Sequence, residues 1–267
     1  MAKRPGQTLR SEDIDAGLRA LQKLEPAGLS AEGLGWQQRK SAQTRVAILE
    51  ATIDSLERYG YAGTTTQTIG ELANISRGAM MHHYSTKQDL IASVIDYTFY
   101  KRLEWTTSRI TQLSEQERVK KLGGVEVTWQ SYFSREYTAY RELDVAARTD
   151  PALKAIFLPK ARRFDAIYME EMRRLHPEWT DTATYELAID FGRSAIEGLA
   201  ANLAAWGPER VAQARKIRDT IVVMLREGLL QLPDAGARAS ANIGTRAPAR
   251  SQAKTNSPTR RKAAPRG

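Results

Sequence analysis

The close succession of helical stretches and helix breakers between residues 38 and 98 constrains this chain more than any other feature. Leu49, Ile53 and Leu56 form an apolar stripe at helical spacing, and Gly60 stands where that helix is expected to end. Two further short apolar stretches follow, and Asn74 between them tolerates the left-handed backbone of a sharp turn. No strand-like alternation appears, so the sequence predicts two short helices joined by a tight turn.

Residues that cap helices mark where each short helix begins. The threonines at 64–66 offer a cap for the second helix, and Ser76 is a good cap for the third. Ser85 followed by Gln88 has the spacing of a capping box, which predicts that a longer fourth helix opens there. In the third helix, we expect Met80 to face inward.

Residues 44–91 as a whole resemble the DNA-binding domain of the TetR family of transcriptional regulators. Gly70, Asn74 and the pair Met80 and Met81 replace that family's usual alanine, turn glycine and leucine-tyrosine. The positions that match in order without a gap are Gly60, Thr64, Thr65, Ile69, Ala73, Ser76, Gly78, His83, Lys87 and Leu90. The resemblance implies an all-α protein that has an N-terminal three-helix helix-turn-helix DNA-binding domain, at residues 38–98, and a C-terminal helical bundle for ligand binding and dimerisation.

By that resemblance, the protein is expected to be a sequence-specific transcriptional regulator, most simply a repressor. The third helices of a homodimer would enter successive major grooves, about 34–36 Å apart, of a palindromic operator in double-stranded DNA. A small-molecule effector bound to the C-terminal half would favour a different spacing and release the DNA. The residues leave one alternative open, an all-α small-molecule sensor or carrier that has lost specific DNA binding, for which Met81 in place of tyrosine is the support.

The outer side of the predicted third helix carries residues suited to DNA. Its N-terminal end has free N–H groups and a partial positive charge, and the fork of Arg77 fits a guanine edge or a phosphate. Gly78 permits close approach of the backbone, and Lys87 would hold a phosphate. The candidate DNA-binding set is Thr65, Thr66, Gln67, Ser76, Arg77, Gly78, Met81, His82, His83, Tyr84 and Lys87. A plainly solvated helix face is the alternative for each.

Residues 99–232 continue as helices and resemble, in architecture, the ligand-binding and dimerisation half of the same family. Helical patterns run approximately over 118–142, 151–175, 181–205 and 208–232. Stripes with small residues in the last two helices predict close pairing with a partner chain in a four-helix interface. Their members are Tyr185, Ala188, Gly192, Ala195, Ile196, Leu199, Leu203, Ile217, Ile221, Leu225, Gly228 and Leu229. The alternative is that both helices only complete the core of each monomer.

An aromatic set in the C-terminal half forms the candidate effector pocket. Five of its residues are spaced for one helix face, namely Trp129, Tyr132, Phe133, Tyr137 and Tyr140. The candidate ligand-binding residues are Trp105, Trp129, Tyr132, Phe133, Tyr137, Tyr168, Met172 and Phe191. Such a lining would suit an apolar or aromatic effector, with a cationic group placed over a ring. An aromatic stripe of this kind is also typical of plain core, which is the alternative.

Two terminal segments have compositions of their own. Residues 1–37 carry one short amphipathic stretch before several Pro and Gly residues, and we expect a largely mobile extension. The basic tail at 233–267 is expected to be disordered, and either strengthens nonspecific DNA binding or stays solvated. Its eight basic residues and one acid account for seven of the nine net positive charges. DNA binding by the remainder must therefore come from the local placement of basic groups.

Composition and spacing exclude several other classes of protein. The chain has no cysteine, which excludes disulfides, thiolate metal sites and cysteine nucleophiles. His82 and His83 are adjacent and point about 100° apart on a helix, so they cannot share a metal ion. No apolar run reaches the ~18–20 residues that cross a bilayer, and no cluster of catalytic groups appears. We therefore expect a cytoplasmic protein that is not an enzyme and needs no metal or cofactor.

Overall fold

The computed structural model describes residues 11–26, 28–29, 33, 35–114, 116–117, 123–175 and 185–226. The chain divides into two units, residues 1–231 and 232–267, and every described residue belongs to the first. The predicted basic tail at 233–267 therefore lies outside the described residues.

These residues form ten α-helices and one short 3₁₀ turn, with no strand among them, which confirms the predicted all-α class. In chain order the helices are α1 (Ser11–Gln22), α2 (Trp36–Gly63), α3 (Thr66–Ala73), α4 (Arg77–His83), α5 (Lys87–Thr111), α6 (Gly123–Ser131), α7 (Arg135–Ala147), α8 (Pro151–Leu175), α9 (Tyr185–Trp206) and α10 (Val211–Arg226). The 3₁₀ turn at Pro208–Arg210 joins α9 to α10. The predicted pair of short helices is α3 and α4.

The starts of α3 and α4 lie where the sequence predicts them, whereas α2 continues past a kink at the predicted end, Gly60, as far as Gly63. Gly60 breaks the regular geometry of α2 with a φ of 65°, a left-handed value that glycine adopts without steric cost. The Thr65 hydroxyl caps α3 by accepting the backbone N–H of Thr68 at 3.1 Å. Asn74 follows α3 with a φ of 53°, and the Ser76 hydroxyl then caps α4. The helix-turn-helix geometry is confirmed.

The start of α5 differs by one residue from the prediction. The cap is Thr86 rather than Ser85, because the Thr86 hydroxyl accepts the Asp89 N–H at 3.0 Å and the Asp89 carboxylate accepts the Thr86 N–H at 3.0 Å. Asp89 lies in the first turn, where the helix dipole favours its negative charge. Gln88 is neutral and offers no such gain, so the charged pair prevails.

One apolar core joins the helix-turn-helix to the helices that follow. It includes Leu49 of α2, Ile69 of α3 and Phe99 of α5, which are all almost wholly buried. Helix α5 passes without a break through the predicted domain boundary between residues 98 and 99. The predicted boundary between a DNA-binding part and a ligand-binding part thus falls inside a continuous helix.

Part of the N-terminal extension packs on the bundle. Helix α1 lies against α5 and α8, and Ala20 and Leu24 are buried in the same core. A Cβ at Gly17 would come within 2.6 Å of the Arg174 guanidinium, so a larger residue there would push that side chain aside. Residues 11–26 therefore differ from the prediction of a largely mobile extension, because their apolar spacing meets a partner surface that no local pattern reveals.

The single helix predicted over 118–142 is not what the structure contains. Residues 118–122 lie outside the described residues, α6 ends at Ser131, and α7 begins at Arg135. The Ser134 hydroxyl accepts the Tyr137 N–H at 3.1 Å and so caps a new helix. The aromatic residues on the two sides of this break do not share one helix face, which corrects that prediction for Trp129, Tyr132, Phe133, Tyr137 and Tyr140.

Candidate functional site

Helix α4 has one buried side chain and a largely exposed outer surface. Met80 is 1% exposed and holds the helix on the core, whereas the neighbouring Met81 is 38% exposed. Ser76, Arg77 and Gly78 at the N-terminal end are exposed as well. This placement agrees with the exposure predicted for these side chains, while their contact with DNA stays a prediction.

Two glycines of the helix-turn-helix, Gly70 and Gly78, differ in the space around them. A Cβ at Gly70 would lie 3.0 Å from the carbonyl oxygen of Ile75, so glycine lets α3 approach the turn closely. A Cβ at Gly78 would meet nothing within 4 Å. Packing among the described residues thus explains Gly70 but not Gly78, and close approach of DNA to the backbone at Gly78 stays a prediction.

The residues predicted to hold phosphates lie at the starts of α3 and α5. Those of α3 are exposed or half-buried, namely Thr65, Thr66 and Gln67. Gln67 donates from Nε2 to the Glu71 carboxylate at 3.0 Å, which holds its amide along the helix. Lys87 Nζ lies 5.1 Å from the centre of the Tyr61 ring, a cation–π contact that restrains its ammonium group. These residues precede and follow α4 in the chain.

Two members of the predicted contact set, His83 and Tyr84, are less exposed than expected. Tyr84 is 7% exposed, and burial raises the pKa of its hydroxyl to about 12. Its side chain belongs to the core, which corrects its placement among the DNA-binding residues. Burial and the nearby charges of Arg45 and His82 lower the pKa of His83, so its imidazole is mostly neutral at pH 7. His82 itself is exposed.

A small cavity of about 30 Å³ lies among α5, α6, α8 and α9. Its walls are formed by Arg102, Thr106, Thr128, Ser131, Tyr132, Phe164, Tyr168 and Arg193. Tyr132 and Tyr168 are the two predicted ligand-binding residues that line it. The two arginines, which no sequence pattern singled out, bring positive charge to its wall.

The other predicted ligand-binding residues lie elsewhere in the fold. An apolar cluster with α9 contains Trp129 and Tyr137. A second cluster, formed by α5, α6 and α8, contains Met172 and has Trp105 packed against it. At the surface lie Phe133 and Phe191. The structure thus brings two of the eight predicted residues to the cavity. Ligand binding by the set stays a prediction.

Every fourth residue along α5 faces inward, and this spacing is the signal that points to Arg102. Val94, Thr98 and Thr106 are buried in this row, and Arg102 occupies the position between the last two. Its guanidinium lies 4.5 Å from the centre of the Tyr140 ring. An arginine in the inward-facing row of a helix is therefore the sequence pattern that could have identified Arg102 as a candidate residue.

An ion-pair cluster connects α7 to the helix-turn-helix. Arg135, at the start of α7, binds both Glu50 and Asp54 of α2, and the distance to Asp54 is 2.5 Å. Tyr97 of α5 donates its hydroxyl to the same Glu50 at 2.5 Å. Burial and the hydrogen bond to Glu50 raise the pKa of Tyr97, which therefore keeps its proton. Helices α2, α5 and α7 are thus held together by charge as well as by packing.

Replacing Arg135 with alanine is expected to lower the free energy of unfolding by about 1–2 kcal/mol, because Glu50 and Asp54 lose their shared cation. Partial exposure of all three side chains keeps this loss below that of a fully buried pair. Urea unfolding followed by circular dichroism measures the change. Arg141→Ala is the matched control, since among the described residues Arg141 of the same helix pairs closely only with its near neighbour Asp144, at 2.8 Å, and lies 3.5 Å from Glu197 of α9. Equal losses in the two variants would contradict the expectation.

Among the described residues, no three His, Asp or Glu side chains are placed to hold a metal ion together. No described helix combines the length and the apolar character that a bilayer crossing requires.

Residues 48–94 match the profile of the family described as bacterial regulatory proteins, tetR family. The HTH-type transcriptional regulator CymR of Pseudomonas putida is 25% identical over 118 residues, which cover 44% of this chain and 58% of that protein. An uncharacterised HTH-type transcriptional regulator of Mycobacterium tuberculosis is 28% identical over 118 residues, which cover 44% of this chain and 60% of that protein. The chain thus spans less than two thirds of the length of these relatives.

Solved structures share the all-α architecture beyond the helix-turn-helix. A transcriptional regulator from Rhodococcus has a TM-score of 0.53 at 20% identity and covers 69% of this chain and 96% of its own. A regulator from Saccharomonospora viridis, solved in complex with choline, has a TM-score of 0.52 at 16% identity and the same coverage. The proteins to which the chain is similar are transcriptional regulators, which supports the prediction that it is not an enzyme.

Proposed function

The chain belongs to the TetR family of bacterial regulatory proteins through its helix-turn-helix, and from this premise we propose that it represses transcription by binding an operator in DNA. The observation that carries the proposal is the exposed outer face of α4, with Arg77 and Gly78 at its N-terminal end. An α-helix fits the major groove, where donors and acceptors distinguish all four base pairs. The starts of α3 and α5 would contact the phosphates of the backbone.

A homodimer on a palindromic operator is the form in which this interface would act. Two copies related by a two-fold axis double the contact and set the half-site spacing. Phe191 of α9 and Ile217 and Val223 of α10 are large apolar side chains that are exposed in the single chain. Their burial against a second copy would stabilise pairing of α9 and α10 with their symmetry mates. Ile196 and Leu203 of the predicted interface are instead buried in the core of the monomer.

Several residues of that predicted interface lie outside the description. The side chains of Tyr185, Ala188 and Leu225, and the whole of Gly228 and Leu229, are not among the described residues. The dimer proposal therefore stands on the exposed apolar side chains of α9 and α10 alone.

Control by a small molecule is supported by the cavity among α5, α6, α8 and α9. The Saccharomonospora viridis regulator of the same fold holds choline, so a bundle of this kind can take a ligand. A ligand shifts the equilibrium between DNA-bound and released forms only by its differential affinity for the two. Helix α7 contacts Arg102 of the cavity through Tyr137 and Tyr140. Because Arg135 of the same helix holds α2, we expect α7 to carry the effect of the ligand to the DNA-binding helices.

Replacing Arg77 with alanine is expected to weaken operator binding at least tenfold, since one such contact contributes about 1–3 kcal/mol and a dimer loses two. Lys87→Ala should weaken binding to all duplexes about equally and flatten the dependence of affinity on salt. Fluorescence anisotropy with duplexes from the region upstream of the gene measures both effects. Saturation at two chains per duplex reports the dimer.

The control for these variants is Arg162→Ala. It removes an exposed arginine from α8 and leaves the helix-turn-helix intact, so it should keep the affinity of the wild type. Circular dichroism establishes that each variant is folded. If a folded Arg77→Ala, Lys87→Ala double variant held the operator as tightly as the wild type, the proposal would be abandoned.

A further inference from the structure

Arg102 is a half-buried cation, and one nitrogen of its guanidinium, Nη1, is buried without a hydrogen-bond partner. Its Nη1 is the one buried side-chain nitrogen or oxygen that has no hydrogen-bond partner in the part of the chain that the structure describes. A buried donor without an acceptor destabilises a fold, and a charged donor does so most of all. The site therefore favours any acceptor that reaches Nη1.

Three aromatic rings hold the Arg102 guanidinium in place. Its centre lies 5.1 Å from the ring of Tyr137, 4.5 Å from that of Tyr140 and 5.3 Å from that of Phe164. Cation–π contacts of this kind stabilise the charge without using the N–H donors. Because these rings already face one cation, a second cation would be repelled there. This argues against the cationic effector group expected from the aromatic residues alone.

The second arginine of the cavity is already paired with acids. Arg193 of α9 binds Asp165 at 2.6 Å and Asp190 at 3.1 Å. The described residues that line the cavity include no acidic side chain. The wall therefore presents one open positive charge, that of Arg102.

We propose that the cavity binds the carboxylate of a small organic acid, with Arg102 as the residue that receives it. A carboxylate has two acceptor oxygens that match the fork of a guanidinium, and a monoanion balances the single open charge. The rings of Tyr132, Phe164 and Tyr168 suit an aromatic or aliphatic body. The inference rests on the proposed function and names the class of effector that such a regulator would answer.

The size of the cavity couples binding to a change of shape. A volume of about 30 Å³ holds a carboxylate group or a water molecule but not the rest of an organic acid. The body of the ligand needs space that opens only when the surrounding helices separate. Tyr137 and Tyr140 connect Arg102 to α7, and Arg135 connects α7 to α2. A carboxylate that draws Arg102 away from these rings acts on the helix that holds the DNA-binding part.

A set of ligands tested on the full chain decides the class of effector. Acetate, octanoate, benzoate and phenylacetate are compared with their amides and with the corresponding amines, and sulfate serves as an inorganic anion. We expect at least one organic carboxylate to raise the midpoint of thermal unfolding, while its amide, its amine and sulfate do not. Stabilisation by the amines, amides or sulfate instead, or by no compound in the set, would overturn the proposal.

Two arginine variants of α5 separate the site from general effects of charge. Arg102→Met should raise the Kd of the stabilising acid at least tenfold. It should keep the thermal stability of the free protein, because the loss of the cation–π contacts is offset by removal of a buried donor that has no acceptor. Arg109→Met is the matched control, since Arg109 lies 5.2 Å from the Trp105 ring on the same helix but outside the cavity wall. Unchanged binding of the acid by Arg102→Met would overturn the proposal, and the wild-type ligand set decides it if that variant does not fold.

DNA binding is measured separately, so that the two proposals fail separately. If the chain holds its operator but no carboxylate stabilises it, the effector class is wrong and the regulator stands. If a carboxylate binds through Arg102 but the chain binds no duplex, the carboxylate site is supported and the proposal of a DNA-binding repressor is wrong. When both hold, we expect the acid to release the wild type from the operator and to leave Arg102→Met bound at the same concentration.

Discussion

Replacing Phe99 with alanine is expected to lower the free energy of unfolding by about 3–5 kcal/mol, the range for a fully buried aromatic side chain. Phe99 is 1% exposed at the centre of the core that α5, α7 and α8 share. Its ring stacks on that of Phe164 with centroids 4.4 Å apart, and the rings of Tyr140 and Phe157 lie 5.7 and 6.3 Å away. Alanine would leave a void that these large rings cannot close.

Phe133→Ala is the control for this experiment, because Phe133 is 51% exposed and its ring contact is an edge-to-face one with Trp129. We expect this variant to lose less than about 1 kcal/mol. Urea unfolding of both variants at one fixed protein concentration measures the difference, since association with a second copy would make stability depend on concentration. Losses of similar size for Phe99 and Phe133 would show that the stacked rings do not form the centre of the core.

The helix-turn-helix could be predicted because its signals act over three or four residues. Thr65 and Ser76 cap helices through hydroxyl contacts inside the next turn, and Asn74 adopts the left-handed turn conformation by itself. The wrong prediction of Ser85 as the cap of α5 also concerns interactions within three or four residues. Two overlapping capping patterns were present, and the one with the negatively charged Asp89 was the more stable.

The cavity could not be predicted because it depends on contacts between distant parts of the chain. Arg102 of α5 and Arg193 of α9 are 91 positions apart in the sequence and meet only when the bundle packs. The break before α7 contributed, because Ser134 begins a new helix, in which Tyr137 is buried, while Phe133 before the break is 51% exposed. Of the eight residues that aromatic spacing suggested, only Tyr132 and Tyr168 line the cavity.

The burial of α1 also could not be predicted from local sequence, because it depends on contacts with distant helices. The apolar spacing of this segment predicts a short helix, but only the surface formed by α5 and α8 decides whether that helix docks. Ala20 and Leu24 are buried there, while Leu18 of the same segment stays exposed. A short amphipathic helix near a terminus is thus compatible with a mobile or a packed extension until its partner surface is known.

The neighbouring methionines of α4 are expected to respond in opposite directions to the same substitution. Met80 is the buried residue of a seven-residue helix, so Met80→Lys places an ammonium group in the core without a partner. We expect α4 to leave its position and DNA affinity to fall at least a hundredfold. Met81 lies on the exposed outer face, so Met81→Lys adds a cation where the proposed interface meets the phosphates.

Binding to a duplex of unrelated sequence isolates this charge effect, because phosphate contacts do not depend on sequence. Met81→Lys should bind such a duplex more tightly at low salt than the wild type, and its affinity should fall more steeply as salt rises. Fluorescence anisotropy at several salt concentrations gives both quantities, and circular dichroism reports the loss of helix in Met80→Lys. If Met81→Lys left the salt dependence unchanged, the outer face of α4 would not lie against DNA. If Met80→Lys kept its affinity, α4 would not be the helix that binds it.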